Sequence, residues 1–391
     1  MKIMLLTHSF SPEISPPQRR WSVIADELAK LGNEITVVTP QHRGSSVHTT
    51  ASFADNRRVS VKRYRSLRKS KSMVGKVIKH GVDAMLSLPA ALSATRPDVV
   101  IATVPALPTL IVGYVVSKIR RVPFVVDLRD AWPDLLRESQ VLKWRWLEPM
   151  VSHALAYLVK RSDLLVTVTL GLAVKMRLNG VNNVATIPNG VEIERPEIEI
   201  HNEPRTGTLR VLYLGNIGRS QGLDTLIRAA KVLENQISLR IVGNGTEKRR
   251  LVELANELDV KVDFRESVYG ELVLDNYAWA DTCIVSLRPD WPSFDHTVPS
   301  KLYELLHLDR HITGMVRGEA AGIITAAECG EVVGQSVPEL TEYLTHLAAN
   351  PDLLNTYEHG SRWVRKNASL RDAANTYAKL LSDVVTGADK H

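Results

Sequence analysis

Residues 284–306 constrain the fold of this chain more than any other stretch. They begin with an apolar run typical of a buried strand, continue as a polar loop, and predict a helix that opens at Pro299-Ser300-Lys301. In open α/β sheets, this order of elements presents backbone N–H groups and a positive helix end to a phosphate. Lys301 adds a full charge to the first turn, and Glu304 follows one turn later. The expected ligand is a phosphorylated nucleotide.

Two similar units lie upstream. The first has a strand at Leu209–Leu214 and a glycine turn at Gly215–Gly222, and the second runs from Leu239 to a turn at Val242–Gly245. Each glycine turn alone is typical of an ordinary βα connection, which needs glycine for positive φ. Three such units in order, the last with a lysine at the helix start, favour phosphate binding.

The first half of the chain alternates between strands and helices in the same way. The predicted strands are Lys2–Thr7, Ile35–Thr39, Asp98–Thr103, Phe124–Asp127 and Leu164–Val168. Such alternation makes a parallel sheet covered by helices. Residues 192–208 are polar and lack helical periodicity, so we place an interdomain linker there. A final amphipathic helix closes the chain.

Length and composition favour a two-domain protein of a reducing compartment. The 391 residues exceed the usual size of one domain. Cys283 and Cys329 have neither the spacing of a metal site nor the number of a disulfide framework. The start lacks a small-residue cleavage site, and no apolar run is long enough to span a membrane, so we expect a cytosolic protein.

Charge is divided unevenly along the chain. Residues 1–195 carry 28 Lys and Arg against 15 Asp and Glu, whereas residues 196–391 carry 21 against 28. The densest basic segment, residues 57–79, contains no carboxylate. Because no nucleic-acid module is recognisable, an anionic membrane surface at the cytoplasmic face is the better partner, and a solvated basic loop is the alternative.

Several phrases of the sequence, taken in order, resemble those of family 4 glycosyltransferases. They are Ile187-Pro188-Asn189-Gly190-Val191, the Gly215–Gly222 turn, Val242-Gly243-Asn244-Gly245, Trp279-Ala280-Asp281 and Pro299-Ser300-Lys301-Leu302-Tyr303-Glu304. Phe10-Ser11-Pro12-Glu13 and Val126-Asp127-Leu128-Arg129-Asp130-Ala131-Trp132-Pro133 are similar to the bacterial surface-polysaccharide branch of that family. The resemblance covers nearly the whole chain, and the ordered set is far more specific than any one phrase.

The resemblance implies a GT-B fold, an α/β architecture of two Rossmann-like parallel-sheet domains that face across a cleft. It implies an acceptor-side domain at 1–195, joined by a final helix at 370–391 that packs back toward it, and a nucleotide-sugar domain at 205–369. The implied enzyme is a retaining glycosyltransferase of hexosyl or N-acetylhexosaminyl type, with no metal and no other cofactor. Because negative charge builds on the leaving diphosphate, donors aimed at the phosphate are the largest expected catalytic contribution.

The donor site carried over from the family lies mostly on the predicted helix after residue 299. Glu304 matches a glutamate that accepts hydrogen bonds from ribose hydroxyls, with an exposed structural glutamate as the alternative. Ser300, Lys301 and Leu302 match positions whose backbone N–H groups meet the diphosphate. Val268 lies in the loop that recognises the base, largely through its backbone.

The Gly215 turn departs from the family pattern. Asn216 and Gln221 stand where many members carry an arginine and a lysine on the diphosphate, so both are predicted to lie in the donor site without those charges. The nearest cation is Arg219. We expect Arg219 and Lys301 together to neutralise the leaving group.

Two further departures concern the sugar and the first loop. His296 stands at the family's first glutamate, which lies near the sugar hydroxyls. Either Asp295 beside it substitutes or the ring nitrogens of His296 take that role, and a bystander histidine is the alternative. The first glycine-rich loop reads Ser15-Pro16-Pro17, and because proline has no N–H, backbone contact to the donor there is in question.

Arg129 and Asp130 follow a predicted strand where the family often has a histidine close to the transferred sugar. Asp130 is predicted to orient the acceptor hydroxyl or accept its proton, with an N-cap role as the alternative. Arg129 is predicted to bind an acceptor phosphate, and Arg19 and Arg20 to contact the acceptor. The spacing of Asp127 and Asp130 alone does not make a metal site.

The expected function is transfer of a sugar from a nucleotide-diphosphate sugar to a glycan or polyprenyl-diphosphate-linked acceptor in bacterial cell-surface polysaccharide synthesis, at the inner face of the plasma membrane. A catalytically silent nucleotide-sugar-binding subunit is the alternative, because Asn216, Gln221 and His296 depart from the pattern. A nucleotide-sugar epimerase is disfavoured by the ordered phrases. The sequence leaves the donor base, the sugar, the acceptor and the oligomeric state open.

Overall fold

The computed structural model describes residues 1–11, 16–41, 58–66, 73–104, 107–131, 134–138, 147–193 and 207–387. The chain divides into two compact units: Met1–Glu192 with Ser369–His391, and Ile193–Ala368. Residues 194–206 of the predicted linker, Ser15 of the predicted first loop, and Trp132-Pro133 lie outside the described residues.

The amino-terminal unit contains a sheet of seven parallel strands. They are β1 (Lys2–Leu6), β2 (Glu34–Gln41), β3 (Val59–Arg65), β4 (Val99–Val104), β5 (Phe124–Leu128), β6 (Leu164–Thr167) and β7 (Val184–Thr186). The strand order is β3-β2-β1-β4-β5-β6-β7. Every residue of β4, β5 and β6 is buried, as expected of parallel strands that are covered on both faces.

Helices alternate with these strands in the described part of Met1–Glu192. They are α1 (Pro16–Lys30), α2 (Met73–Leu92), α3 (Leu107–Arg120), α4 (Asp134–Glu138), α5 (Leu147–Lys160) and α6 (Leu170–Leu178). Buried residues of α2, α3, α5 and α6 pack on one face of the sheet, and those of α1 pack on the other. The helix α1 begins at Pro16, so Pro16 and Pro17, predicted in a loop, belong to its first turn, where proline is tolerated.

The carboxyl-terminal unit has a sheet of six parallel strands. They are β8 (Leu209–Leu214), β9 (Ile237–Val242), β10 (Val262–Arg265), β11 (Thr282–Ser286), β12 (Ile312–Met315) and β13 (Gly330–Val332), in the order β10-β9-β8-β11-β12-β13. Its helices are α7 (Asp224–Val232), α8 (Lys248–Glu257), α9 (Glu271–Trp279), α10 (Ser300–His307), α11 (Gly318–Ala327), α12 (Val337–Ala349) and α13 (His359–Asn367). The predicted pair of parallel, helix-covered sheets is confirmed.

The edge strand β3 was not predicted from the sequence, in which residues 57–79 stand out only as a basic segment. Its backbone pairs in parallel with β2 from Val59 to Arg65, although most of its side chains are exposed. Lysine and arginine on such an edge discourage pairing with another chain. Residue 57 and residues 67–72 of the basic segment lie outside the described residues.

The last helix, α14 (Leu370–Thr386), belongs to the amino-terminal unit and packs against α1. Its Tyr377 ring lies 5.2 Å from the ring of Trp21 on α1. Both side chains donate to the buried Asp127 of β5, Trp21 Nε1 at 2.8 Å and Tyr377 Oη at 2.9 Å. One carboxylate therefore joins the first helix, a central strand and the last helix.

We expect Tyr377→Phe to destabilise the amino-terminal unit by about 1.5–3 kcal/mol, because a buried hydrogen bond to a charged acceptor is lost. Unfolding in urea, followed by circular dichroism, measures the change. Tyr357→Phe is the control, since Tyr357 is 70% exposed and should leave stability unchanged. Equal unfolding midpoints for the two variants would contradict this role of Asp127.

Candidate functional site

The carboxyl ends of β8 and β11 form the topological switch point of the carboxyl-terminal sheet. From β8 the chain proceeds outward through β9 and β10, and it then returns to pair β11 on the other side of β8. The loops that follow two such strands diverge, and ligands of open α/β sheets bind in the crevice between them. The predicted donor residues of the Gly215 turn and of α10 follow these two strands.

The turn after β8 is held by its own hydrogen bonds. Gly218 N donates to Gln221 Oε1 at 3.0 Å, and Tyr213 Oη donates to the carbonyl of Asn216 at 2.7 Å. The side chains of Asn216 and Arg219 are exposed. Gln221, predicted to bind donor, therefore uses its amide oxygen to close the turn, whereas Arg219 and Asn216 are accessible to a ligand.

The second glycine turn supports the first by close backbone contact. Gly243 has φ +148°, and a Cβ atom there would lie 1.8 Å from the Gly215 carbonyl oxygen. A Cβ atom at Gly245 would lie 2.1 Å from the Ile217 carbonyl oxygen. Glycine is required at both positions because only hydrogen fits. This accounts for the second glycine turn of the sequence without a ligand.

The loop after β11 brings in a cation that the sequence analysis missed. Arg288 N donates to the Ser220 carbonyl at 2.9 Å, and Ser286 Oγ donates to the Gln221 carbonyl at 2.6 Å, so the two loops are bonded together. The Arg288 guanidinium binds Asp290 through two hydrogen bonds of 2.7 Å. That pair, with a smaller contribution from Arg219, lowers the pKa of Asp290. The available signal was an arginine two residues after the end of a buried strand.

Two of the predicted donor-site residues on helix α10, Lys301 and Glu304, contact a tyrosine that was not predicted. Lys301 Nζ lies 3.1 Å from Glu304 Oε2, and Tyr277 Oη donates to Glu304 Oε1 at 3.3 Å. Lys301 Nζ also lies 5.6 Å from the centre of the Tyr277 ring. The helix is preceded by Pro299 and has no side-chain cap. Leu302 N already donates to the Pro299 carbonyl at 2.9 Å, which leaves the N–H groups of Ser300 and Lys301 at the helix start.

Asp295 and His296 line a separate open groove of about 740 Å³. Arg317 bonds Asp295 at 3.0 Å, and Gly318 packs directly on the Asp295 backbone, where a Cβ atom would lie 2.1 Å from its carbonyl oxygen. Trp363 of α13 lines the same groove, whereas neither Lys301 nor Glu304 does. The structure thus groups Asp295 with His296 and adds Arg317 and Trp363, which sequence spacing gave no means to find.

Val268 lies apart from these residues. It is half-buried in the loop after the outermost strand β10, beyond β9 as seen from the switch point. The described residues give it no polar contact with α10 or with the Gly215 turn. Its predicted contact with the base stays a prediction.

In the amino-terminal unit, the predicted acceptor residues separate into buried and exposed groups. Arg129 is buried with its Nε 3.8 Å from Asp127, and Arg20 is buried and donates to the carbonyls of Ile187 and Pro188. Arg19 is exposed. Desolvation by surrounding protein raises the pKa of the partly exposed Asp130, against the opposing effect of Arg129. Among the described residues, no three His, Cys, Asp or Glu side chains group as a metal site.

Two family models match consecutive parts of the chain. The model of glycosyltransferase family 4 matches residues 18–195, and that of glycosyl transferases group 1 matches residues 194–362. Together they extend over both units. The chain belongs to glycosyltransferase family 4.

Solved structures show the GT-B fold for this family 4 glycosyltransferase. Sucrose-phosphate synthase from Thermosynechococcus elongatus is similar with a TM-score of 0.77 at 15% identity, over 99% of each chain. HepE from Anabaena, in complex with UDP-glucose, is similar with a TM-score of 0.70 at 15% identity, over 98% of this chain and 100% of its own. WaaG, a glycosyltransferase involved in lipopolysaccharide biosynthesis, is similar with a TM-score of 0.66 at 17% identity, over 98% of this chain and 100% of its own.

No curated protein sequence matches this family 4 glycosyltransferase significantly. Within the part of the chain that the structure describes, no helix is both long and apolar enough to cross a membrane.

We expect Gly243→Ala to destabilise the carboxyl-terminal unit by at least about 2 kcal/mol, because the added methyl group overlaps the Gly215 carbonyl and φ is unfavourable. Thermal unfolding measures the loss. Gly322→Ala is the matched control: it lies in α11 with no atom within 4 Å of the added Cβ, and alanine there should stabilise by up to about 1 kcal/mol. Similar effects of both substitutions would contradict the proposed support of the turn.

Proposed function

We propose that this glycosyltransferase moves a sugar, with retention of configuration, from a nucleotide-diphosphate sugar to a hydroxyl of a glycan or lipid-linked acceptor. The observation that carries the proposal is the Lys301, Glu304 and Tyr277 cluster at the start of α10, next to the switch point of the sheet. Similarity to HepE, solved with UDP and with UDP-glucose, and to WaaG supports the donor and acceptor classes.

The proposed donor site divides its work along one helix. The N–H groups of Ser300 and Lys301 and the positive end of α10 bind the diphosphate. Lys301 has three ammonium protons, so it donates to a phosphate while its bond to Glu304 is kept. Glu304, fixed by Lys301 and Tyr277, then accepts hydrogen bonds from the ribose hydroxyls. The ion pair therefore positions both groups before the donor binds.

Cations at the switch point are proposed to stabilise the leaving group. As the glycosidic bond breaks, negative charge builds on the diphosphate, and charge-assisted hydrogen bonds to it strengthen in the transition state. Arg219 is exposed on the turn after β8, and Arg288 lies in the loop bonded to that turn. With Lys301 they supply charge where the family carries an arginine and a lysine, so no metal is required in this proposal.

The sugar and the acceptor hydroxyl are assigned to two other places. Asp295 and His296 line the groove with Trp363, whose indole face suits the C–H face of a sugar ring. Asp130 is proposed to orient the acceptor hydroxyl and to accept its proton. Desolvation of Asp130 brings its pKa closer to neutrality, which favours proton transfer near physiological pH.

One observation favours the alternative of a catalytically silent subunit. The side-chain oxygen of Gln221 accepts a hydrogen bond from Gly218 N within the turn, where many family members carry a cation on the diphosphate. Such a subunit would bind the donor but would not release nucleoside diphosphate. A thermal-shift panel of UDP-, GDP-, ADP- and dTDP-sugars identifies the donor, since a ligand at a hundred times its Kd stabilises by about 2.7 kcal/mol. Slow hydrolysis of that donor then separates enzyme from silent subunit.

We expect Lys301→Ala to lower the kcat of nucleoside diphosphate release by about 10²- to 10³-fold, because a full charge at the leaving group is lost. Glu304→Ala should chiefly weaken donor binding. The controls are Lys231→Ala and Glu234→Ala, which alter an exposed lysine–glutamate pair of the same spacing at the end of α7. If Lys301→Ala released nucleoside diphosphate as fast as the wild type, the assignment of Lys301 to the donor site would be wrong. A product of inverted anomeric configuration, observed by NMR, would contradict the proposed retention.

A surface on α3 and α5 supports the proposal of a peripheral membrane protein. Ile111, Tyr114 and Lys118 share one face of α3, and Met150, Tyr157 and Arg161 follow one face of α5 to its end. The rings of Tyr114 and Tyr157 lie 6.5 Å apart, and Lys118 and Arg161 each lie 5.3 Å from a ring centre. Aromatic rings beside cations suit the headgroup region of an anionic membrane.

We expect the double variant Lys118→Gln/Arg161→Gln to bind vesicles of anionic lipid about thirtyfold more weakly, because each basic residue near such a surface contributes about 1 kcal/mol. Vesicle sedimentation at fixed ionic strength measures binding. Lys231→Gln/Arg249→Gln removes two charges from the carboxyl-terminal unit and should bind as the wild type does. Equal binding to neutral vesicles, or no effect of the double variant, would disprove the membrane role of this surface.

A further inference from the structure

We propose that the amino-terminal unit has a buried anion site at the carboxyl end of β5, in which Arg129 binds a phosphate or carboxylate group of a substrate. The inference rests on the proposed function only in taking that group to belong to a substrate.

Arg129 is buried without an adequate hydrogen-bond partner. Its side chain is 8% exposed, and its Nε and Nη2 atoms have no acceptor among the described residues. A buried N–H group that loses its water without gaining an acceptor costs about 1–3 kcal/mol, and more when it is charged. Buried polar atoms in folded proteins are nearly always bonded, so two unbonded atoms on one side chain indicate a missing ligand.

Asp127 does not fill this role. Its Oδ2 atom accepts from Trp21 and its Oδ1 atom from Tyr377, so both oxygens serve the junction of α1, β5 and α14. The Arg129 Nε atom is 3.8 Å from Oδ2, which is beyond hydrogen-bond length. Asp127 therefore reduces the electrostatic cost of burying Arg129 but leaves its N–H groups unsatisfied.

The charges around Arg129 favour an added anion. Burial lowers the pKa of Arg129, and the positive charge of Arg20 lowers it further. The negative charges of Asp127 and Asp130 oppose this effect. Desolvation also raises the pKa of Asp130, so burial disfavours the ionised form of a carboxylate that offsets the positive charge of Arg129 and Arg20. An anion bound to Arg129 balances this charge and replaces the water that both cations lost.

The two unbonded atoms also define the geometry of the ligand. In a planar guanidinium the Nε–H bond and one Nη2–H bond lie on the same edge and point the same way. A phosphate or carboxylate presents two oxygens that accept from this edge in parallel. A water molecule satisfies one of these donors and supplies no charge, so it is a poorer match than an oxyanion.

Such an anion has two sources in a sugar-transfer reaction: the diphosphate of the donor, or a phosphate or carboxylate of the acceptor. The chemistry of recognition is the same in both cases. A competition experiment distinguishes them, because only a donor diphosphate would exclude inorganic phosphate from Arg129.

The test uses the full-length protein and inorganic phosphate, with ionic strength held constant by sodium chloride. Isothermal titration calorimetry and thermal shift are measured for the wild type, Arg129→Gln, Arg129→Lys and Arg96→Gln. Arg96 is an exposed arginine of the same unit and serves as the matched control. We expect the wild type and Arg96→Gln to bind phosphate alike, and both Arg129 variants to bind at least about tenfold more weakly, since a lysine cannot form the two parallel bonds.

Phosphate binding that is equal in all four proteins, or absent from the wild type, would overturn the site. Because Arg129→Gln removes a charge beside Asp127 and risks misfolding, Arg129→Lys retains that charge and keeps the test decisive. Near-ultraviolet circular dichroism shows whether each variant is folded.

Repeating the phosphate titration with saturating UDP, GDP, ADP or dTDP, whichever binds, assigns the source. Displacement of phosphate identifies the donor diphosphate, and unchanged phosphate affinity identifies the acceptor. A different result would contradict the proposed function and leave the anion site standing: no nucleotide sugar is turned over, while phosphate binding still depends on Arg129. Conversely, if a nucleotide sugar is turned over but phosphate binding does not depend on Arg129, the anion site is disproved and the proposed transfer reaction stands.

Discussion

The amino-terminal unit depends on one buried carboxylate. Asp127 lies at the end of the central strand β5, and its two oxygens accept from Trp21 of the first helix and Tyr377 of the last. A buried charge is tolerated only when it is hydrogen-bonded, so the two ends of the chain are required to complete its environment. The segment Ile193–Ala368 folds between them as a unit of its own. Where the chain re-enters, Ser369 pairs with Val191 and Leu370 N donates to the Val191 carbonyl at 3.1 Å.

Both units use the same topological device for different chemistry. In each sheet the strand order reverses beside the first strand of the unit, and the polar residues gather at the carboxyl ends of the neighbouring strands. The carboxyl-terminal unit presents partly exposed groups there, including Lys301, Glu304 and Arg219. The amino-terminal unit buries Asp127 and Arg129 instead. Exposed cations can move to meet a ligand, whereas buried ones are held in place and impose their geometry on it.

The sequence predicted the helices and turns that carry the candidate site residues better than it predicted the hydrogen bonds of their side chains. Lys301 and Glu304 were identified from their place at a helix start, and their spacing of three residues already allowed the ion pair that forms. Tyr277, which completes the cluster, lies on another helix and is distant in sequence. Arg20 illustrates the same limit: it was predicted to bind the acceptor, yet its guanidinium donates to the carbonyls of Ile187 and Pro188, more than 160 residues away. Whether it also meets a ligand stays a prediction.

The sequence by itself determined the two parallel sheets, because alternating apolar strands and amphipathic helices allow few other arrangements. It also determined which loops lie at the carboxyl ends of the strands, because in a parallel sheet every loop that follows a strand lies at that edge. Only the tertiary structure decided how each polar side chain is used. Gln221 closes a turn, Gly243 admits a neighbouring backbone, and Arg129 is buried short of acceptors. Burial and hydrogen bonding depend on contacts between residues far apart in the chain, and local sequence carries no record of those contacts.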